Sequence, residues 1–239
     1  MAKAPSIGLV KTRLAPPLTQ EEAALLSACF LRDTANNISE IGNRLATEGV
    51  IVYAPANAEA AFDGLLPEDF GLLAQRGESL GDRLCNATED LLNNGYDSVC
   101  LINSDSPTLP QSAYETAVES LSRAGDRVVL GAADDGGYYL IGLKKVHPNL
   151  FDRISWSTAD VLVHTIERAL EIGLEVEMLP PWYDVDDAET LGRLCEELFA
   201  SHRQDGACAA PQTRDFLSAL IKKEGTQRVC PKLSHDSTI

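Results

Sequence analysis

The spacing of apolar residues alternates between two periods along the chain. In "EEAALLSACFLRDTANNI" (21–38), Leu25 pairs with Cys29 and Leu26 with Phe30 four positions apart, which predicts an amphipathic helix. Thr19 and Glu22 ahead of it have the spacing of a capping box. "GVIVYAP" (49–55) is β-branched and bordered by Gly and Pro, so it predicts a strand, and "FGLLAQ" (70–75) predicts a short second one. "SLGDRLCNATEDLLNNG" returns to the helical period and is closed by Gly95. Val99 to Ile102 then form a strand and "PQSAYETAVESLSRAG" a helix. "DRVVLGA" and "GYYLIGL" are strands around an acidic, glycine-containing loop. "TADVLVHTIERALEIG" is a helix, "LEVEML" a strand and "DAETLGRLCEELFA" a helix.

Strands that alternate with helices of this length predict parallel pairing through helical crossovers, hence an α/β fold. Residues 1–200 are read as one domain. Residues 201–239 are read as a C-terminal extension with one short helix at 213–223 and a mobile tail.

Charge narrows the partners. Twenty Lys and Arg against 36 Asp and Glu leave a net charge of −16, a field that repels nucleic acid and anionic membranes. A small phosphorylated ligand stays possible, because a few local cations or a metal can hold it. No apolar run approaches the ~18 residues needed to cross a bilayer, and the N-terminus lacks the basic-then-apolar order of a signal peptide. The cysteines at 29, 85, 100, 195, 208 and 230 show no C-x-x-C spacing, and the histidines form no H-x-x-x-H pair. These features give a reduced, cytoplasmic protein without a zinc site.

Ligands of open α/β sheets bind beyond the C-terminal ends of strands. Asp105 follows one strand, Asp134 and Asp135 a second, and Asp184, Asp186 and Asp187 a third, so three acidic clusters are expected on one edge. Gathered carboxylates raise one another's pKa unless a cation offsets them, and oxygen ligands suit Mg²⁺ or Mn²⁺. Each acid also has a plain alternative. Asp105 can form an Asx turn before Pro107, and Asp186 or Asp187 can cap the helix that follows.

Basic residues concentrate in "MAKAPSIGLVKTRLAPPL", where Lys3, Lys11 and Arg13 surround Gly8. A glycine loop with a point charge and a guanidinium fork suits a diphosphate, although no P-loop pattern is present. Gly136 and Gly137 permit positive φ or close approach of a ligand, and Asp135-Gly136 is equally a hairpin signal. Trp156 is read as a stacking or a half-buried structural residue.

Six motifs keep a common order: "KAPSIGLVKTRLAP", "QRGESLGDRL", "LINSDSPTLP", "GAADDGGYYLIGL", "ISWST" and "YDVDDAETL". Together they resemble the bacterial nucleotide-diphospho-sugar transferase family of glycosyltransferase-A fold, including its arsenosugar-biosynthesis type. More distantly they are similar to molybdenum-cofactor guanylyltransferase and 2-phospho-L-lactate guanylyltransferase. The resemblance implies a Rossmann-like three-layer sandwich with a mostly parallel central sheet. It implies Lys11 and Arg13 near donor phosphates, and Gln75 and Gly77 near the nucleoside. Asp105 then matches a metal-binding acid, Asp186 a second ligand with Asp184 close by, and Gly136 and Gly137 line the sugar or acceptor side.

The family carries an apolar strand just before the first motif, where only Met1 and Ala2 stand here, so the first strand is expected to be truncated. The implied activity is Mg²⁺- or Mn²⁺-dependent sugar transfer from a nucleotide sugar to a small-molecule acceptor, with Asp105, Lys11 and Arg13 catalytic. The alternatives are nucleotidyl transfer from a nucleoside triphosphate with pyrophosphate release, and a non-catalytic nucleotide-binding relic.

Overall fold

The computed structural model describes residues 1–199 and 206–230, which hold seven strands and seven α-helices. The strands are β1 (Ala2–Lys3), β2 (Val50–Ala54), β3 (Gly71–Ala74), β4 (Val99–Ile102), β5 (Arg127–Ala133), β6 (Tyr138–Leu143) and β7 (Glu175–Trp182). The helices are α1 (Gln20–Leu45), α2 (Leu80–Asn93), α3 (Gln111–Ser122), α4 (Val161–Glu171), α5 (Ala188–Phe199), α6 (Pro211–Glu224) and α7 (Thr226–Val229). The Thr19 capping box forms as expected: Glu22 N donates to Thr19 Oγ1 and Thr19 N to Glu22 Oε2. Ser79 and Asp82 repeat the motif at α2.

Strands β3, β2 and β1 form a parallel sheet in that order, and β4, β6, β5 and β7 form a mixed one. Purely parallel pairing fails at β6, which is antiparallel to both neighbours. The cause is the turn at Asp134–Gly137: Gly136 at φ 88° folds the chain straight back, leaving no room for a crossover. The two sheets meet at the N-terminus, where the Met1 ammonium donates to Ile102 O at 2.7 Å.

Alternation along the central strands explains the layers. Val128 and Leu130 of β5, with Ile141 and Leu143 of β6, face α2 and α4 through Leu84, Leu91 and Ala169. Val129 and Leu140 face the other way, toward α1, α3, α5 and α6, through Phe30, Ala117, Leu191 and Leu217. The result is the three-layer α/β sandwich that the sequence implied.

Residues 206–230 share this core. Helix α6 spans more than the expected 213–223 and lies on α1, with Leu217, Leu220 and Ile221 buried. Asp33 of α1 caps it: Gln212 N and Thr213 N donate to the two carboxylate oxygens at 3.0 and 2.8 Å. Burial raises the Asp33 pKa against these hydrogen bonds. The reading of all the cysteines as thiols is corrected at one pair, because Cys195 of α5 is bonded to Cys230 behind α7. Spacing could not reveal that pair, which is 35 residues apart in sequence. Cys29, Cys85, Cys100 and Cys208 form no disulfide among the described residues. The mobile tail expected at the C-terminus falls on 231–239, outside the described residues. Among the described residues no helix is long and apolar enough to cross a membrane.

Candidate functional site

β4, β5 and β7 run in one direction, so the segments that follow them emerge on one edge of the sheet. The chain between β1 and α1 reaches the same edge. Lys11 sits there in the left-handed region at φ 48°, ahead of a short 3-10 turn at Thr12–Leu14. Its ammonium is held by Asp105 Oδ1 at 2.7 Å, Asp186 Oδ1 at 2.9 Å and Val185 O at 2.9 Å. The Phe30 ring lies 5.7 Å below it, within cation–π range. Only 6% of the Lys11 side chain is exposed, against 35% for Asp105 and 30% for Asp186. Burial works against the Lys11 charge, yet Asp105 and Asp186 overbalance it and its pKa is raised. Arg13 reaches Asp186 Oδ2 at 2.6 Å with a side chain 71% exposed.

Asp184 is engaged by neighbouring side chains of the β4 loop. Its Oδ1 accepts from Asn103 Nδ2 at 2.7 Å and from Ser106 Oγ at 2.6 Å. These bonds tie the loop after β4 to the segment after β7, which Val185 N also joins to Asp105 O. Desolvation pushes the Asp184 pKa up to about 6, only partly offset by those hydrogen bonds.

The native state therefore keeps this proton at pH values where the unfolded chain, near 3.8, has released it. The group's contribution is present below pH ~4 and is lost as pH rises through about 6. Asp184→Asn is expected to add on the order of 2 kcal/mol at pH 7.5 and little at pH 4. Urea unfolding in EDTA at the two pH values checks this, and equal gains at both would refute it.

The other residues singled out from the sequence have local duties. Asp187 caps α5, accepting from Thr190 N at 2.9 Å, and these bonds lower its pKa. Asp134 pairs with Arg193 at 2.6 Å, and that guanidinium stacks 3.8 Å over the Tyr183 ring. Asp135 accepts from Gly137 N in an Asx turn. Gly136 packs against the start of α4, where Leu162 N donates to its carbonyl. Gln75 donates its amide to Val52 O at 2.9 Å and Ala2 O at 3.4 Å, bridging β2 and β1. Gly77, at φ 116°, lies against Asp82 at the head of α2. Gly8 adopts φ 73° in the loop ahead of Lys11, and Lys3 is exposed at the end of β1. The Trp156 indole lies half-buried over Gly81.

Sequence reasoning missed Asn103, Ser106, Arg193 and the Val185 carbonyl. Asn103 and Ser106 flank Asp105 in the opening of "NSDSP", so that signal was present. Arg193 lies mid-helix in α5 and carried none.

The arrangement can hold an anion at Lys11 and Arg13 and a cation at Asp105 and Asp186. Among the described residues no three or more His, Cys, Asp or Glu side chains converge as a metal cluster. The two carboxylates that do converge already share a cation, the Lys11 ammonium. Such an all-oxygen pair matches Mg²⁺, which takes one or two carboxylates and completes its shell with substrate phosphates and water.

A family model described as "uncharacterized protein conserved in bacteria (DUF2064)" matches residues 37–158. No curated protein matches the chain. A solved structure from Desulfovibrio desulfuricans G20, described as a "putative nucleotide-diphospho-sugar transferase", is 34% identical with a TM-score of 0.78. The match covers 92% of this chain and 94% of that one. With the family model on just over half its length and the neighbour aligned over nearly all of it, this chain belongs to the DUF2064 family of bacterial proteins.

Proposed function

We propose that this chain transfers a sugar from a nucleoside-diphosphate sugar to a small-molecule acceptor. The observation that carries this reading is the enclosed Lys11 ammonium held by Asp105 and Asp186 beside the exposed Arg13. It lies on the sheet edge where open α/β folds bind ligands. The relative's description as a nucleotide-diphospho-sugar transferase supports the same class.

A diphosphate arriving at this edge competes with Asp186 for Arg13 and with both acids for Lys11. Arg13, exposed and on a long stem, moves first and supplies two parallel N–H donors. Lys11 supplies a fixed positive charge where the leaving group gathers negative charge. Asp105 and Asp186 are the residues that would hold Mg²⁺ or Mn²⁺. When bound, the ion neutralises charge on the departing diphosphate. Asp184, through Asn103 and Ser106, keeps the Asp105 loop in place.

The test is calorimetry with UDP- and GDP-sugars, with and without Mn²⁺, followed by analysis of products over an acceptor panel. Binding that needs Mn²⁺, with release of nucleoside diphosphate, is the expected result. Asp105→Asn is expected to weaken the Mn²⁺-dependent binding about 10–100-fold, the worth of one hydrogen bond to a charged group. Normal binding by that variant would remove the metal role. Pyrophosphate release from a nucleoside triphosphate would replace sugar transfer with nucleotidyl transfer.

A further inference from the structure

We propose that the outer edge of β3 is a docking surface for a second copy of this chain, which pairs antiparallel through the same strand about a two-fold axis at Leu73. The inference does not rest on the transferase reading, and none of its tests requires turnover.

The backbone sets the register. β3 is the last strand of its sheet and pairs only with β2 among the described residues. Gly71 N donates to Gly49 O at 2.9 Å and Gln75 N to Tyr53 O at 2.8 Å, so the odd-numbered residues of β3 bond inward. Alternation then turns the N–H and C=O groups of Leu72 and Ala74 outward, where no other described strand meets them. Two outward residues separated by one suit an antiparallel copy of themselves. Leu72 of each copy lies opposite Ala74 of the other, and each such pair exchanges two main-chain hydrogen bonds. The join makes one continuous sheet of two.

The side chains favour the same partner. Leu72 is 46% exposed, an uncovered leucine on the edge itself. Opposite Ala74 it sets large against small on both sides of the axis, while Leu73 meets its own copy on the other face. Glu68 and Asp69 are exposed at the entry of β3, and Arg76 is exposed at its exit. The chain leaves the strand line at Gly77, φ 116°, before Glu78. An antiparallel copy brings the entry of one strand beside the exit of the other, so acid meets base twice. Arg76 also pairs with Asp90 at 2.6 Å, and a guanidinium with five donors can serve both.

The other edge strand β7 shows the contrast. Pro180 and Pro181 stand in it, and its Glu175 and Glu177 bind Arg127, devices that blunt an edge. The "GLLA" of β3 holds neither proline nor charge. A bare edge of this kind joins another strand, and a second copy supplies matching length, register and charge.

Sedimentation velocity and hydrogen exchange, each from about 5 to 500 µM, are the tests. A monomer–dimer equilibrium is expected with a midpoint on the order of 10–100 µM, as for a small interface. Exchange at Leu72 and Ala74 should slow about tenfold where about nine-tenths of the chains are paired. Gly71 and Gln75, already bonded to β2, should not change. Leu72→Lys is expected to weaken the dimer at least about tenfold, with an unchanged melting temperature at the lowest concentration. Arg76→Glu is expected to weaken it about fivefold, and Asp69→Lys in the same chain to restore it. A chain that stays monomeric, a dimer without protection at Leu72 and Ala74, or a dimer unmoved by Leu72→Lys would overturn the proposal. Protection only by added acetyl-Gly-Leu-Leu-Ala-amide, with the chain monomeric, would overturn the second copy as occupant and leave the edge to a peptide strand.

Discussion

Lys11→Met is expected to lower kcat/KM for sugar transfer by about 10²–10³-fold, the usual cost of deleting one fixed charge-stabilising donor. The methionine keeps the apolar stem against Phe30 and removes only the charge. Asp105 and Asp186 then face each other with Arg13 as the remaining cation, and Arg13 is 71% exposed and too well solvated to replace an enclosed ammonium. Part of the loss is structural. Breaking a partly buried ion network by removing its centre costs about 2–3 kcal/mol, below the value for a fully buried pair because both acids are about a third exposed.

Lys11→Arg is not expected to rescue, because a planar fork does not fit a socket shaped for a point charge with 6% exposure. Arg13→Ala, which acts at the solvent side, should cost less than Lys11→Met. Steady-state kinetics and thermal melts on the three variants test the order. Full activity in Lys11→Met would sink the donor site as assigned.

The largest expected loss of stability is at Gly136→Ala. The residue sits at φ 88°, a conformation that costs a side-chain-bearing residue about 1–2 kcal/mol. A Cβ there would also lie 2.1 Å from Ala159 O, and that obstacle is backbone, with no rotamer to swing away. Relief requires moving the start of α4, whose Leu162 N donates to Gly136 O. The sum is expected to exceed about 4 kcal/mol, in the range diagnostic of a named structural fault. Urea unfolding checks it, with Gly95→Ala as the control. Gly95 also has positive φ, but no atom lies within 4 Å of its would-be Cβ. The two substitutions separate strain from collision, and equal losses would refute the collision.

Where the sequence was legible, local physics and tertiary structure agreed. The Thr19 capping box, the β-branched run at Val50–Val52 and the apolar period of α2 each specify one element without help from elsewhere. The antiparallel insertion of β6 was half legible. Asp135-Gly136 announced a reversal, but which strands it would separate depends on pairings far apart in the chain. The site divided in the same way. Lys11, Arg13, Asp105 and Asp186 stood out by type and position. That Lys11 itself spans the two acids is a matter of side-chain reach across the fold, which no spacing encodes. Asp187 followed its local alternative as a helix cap, and Gly136 and Gly137 serve a turn packed on α4. The Cys195–Cys230 bond and the Asp33 cap on α6 join distant stretches, so both were invisible to local reading.

That cap has a consequence for how the two ends of the molecule communicate. Phe30 and Asp33 lie three residues apart on α1, hence on one side of the helix. One is beneath the Lys11 ammonium and the other grips the first turn of α6. A single turn of α1 therefore joins the rim that holds Lys11 to helix α6, and loosening either grip shifts the footing of the other.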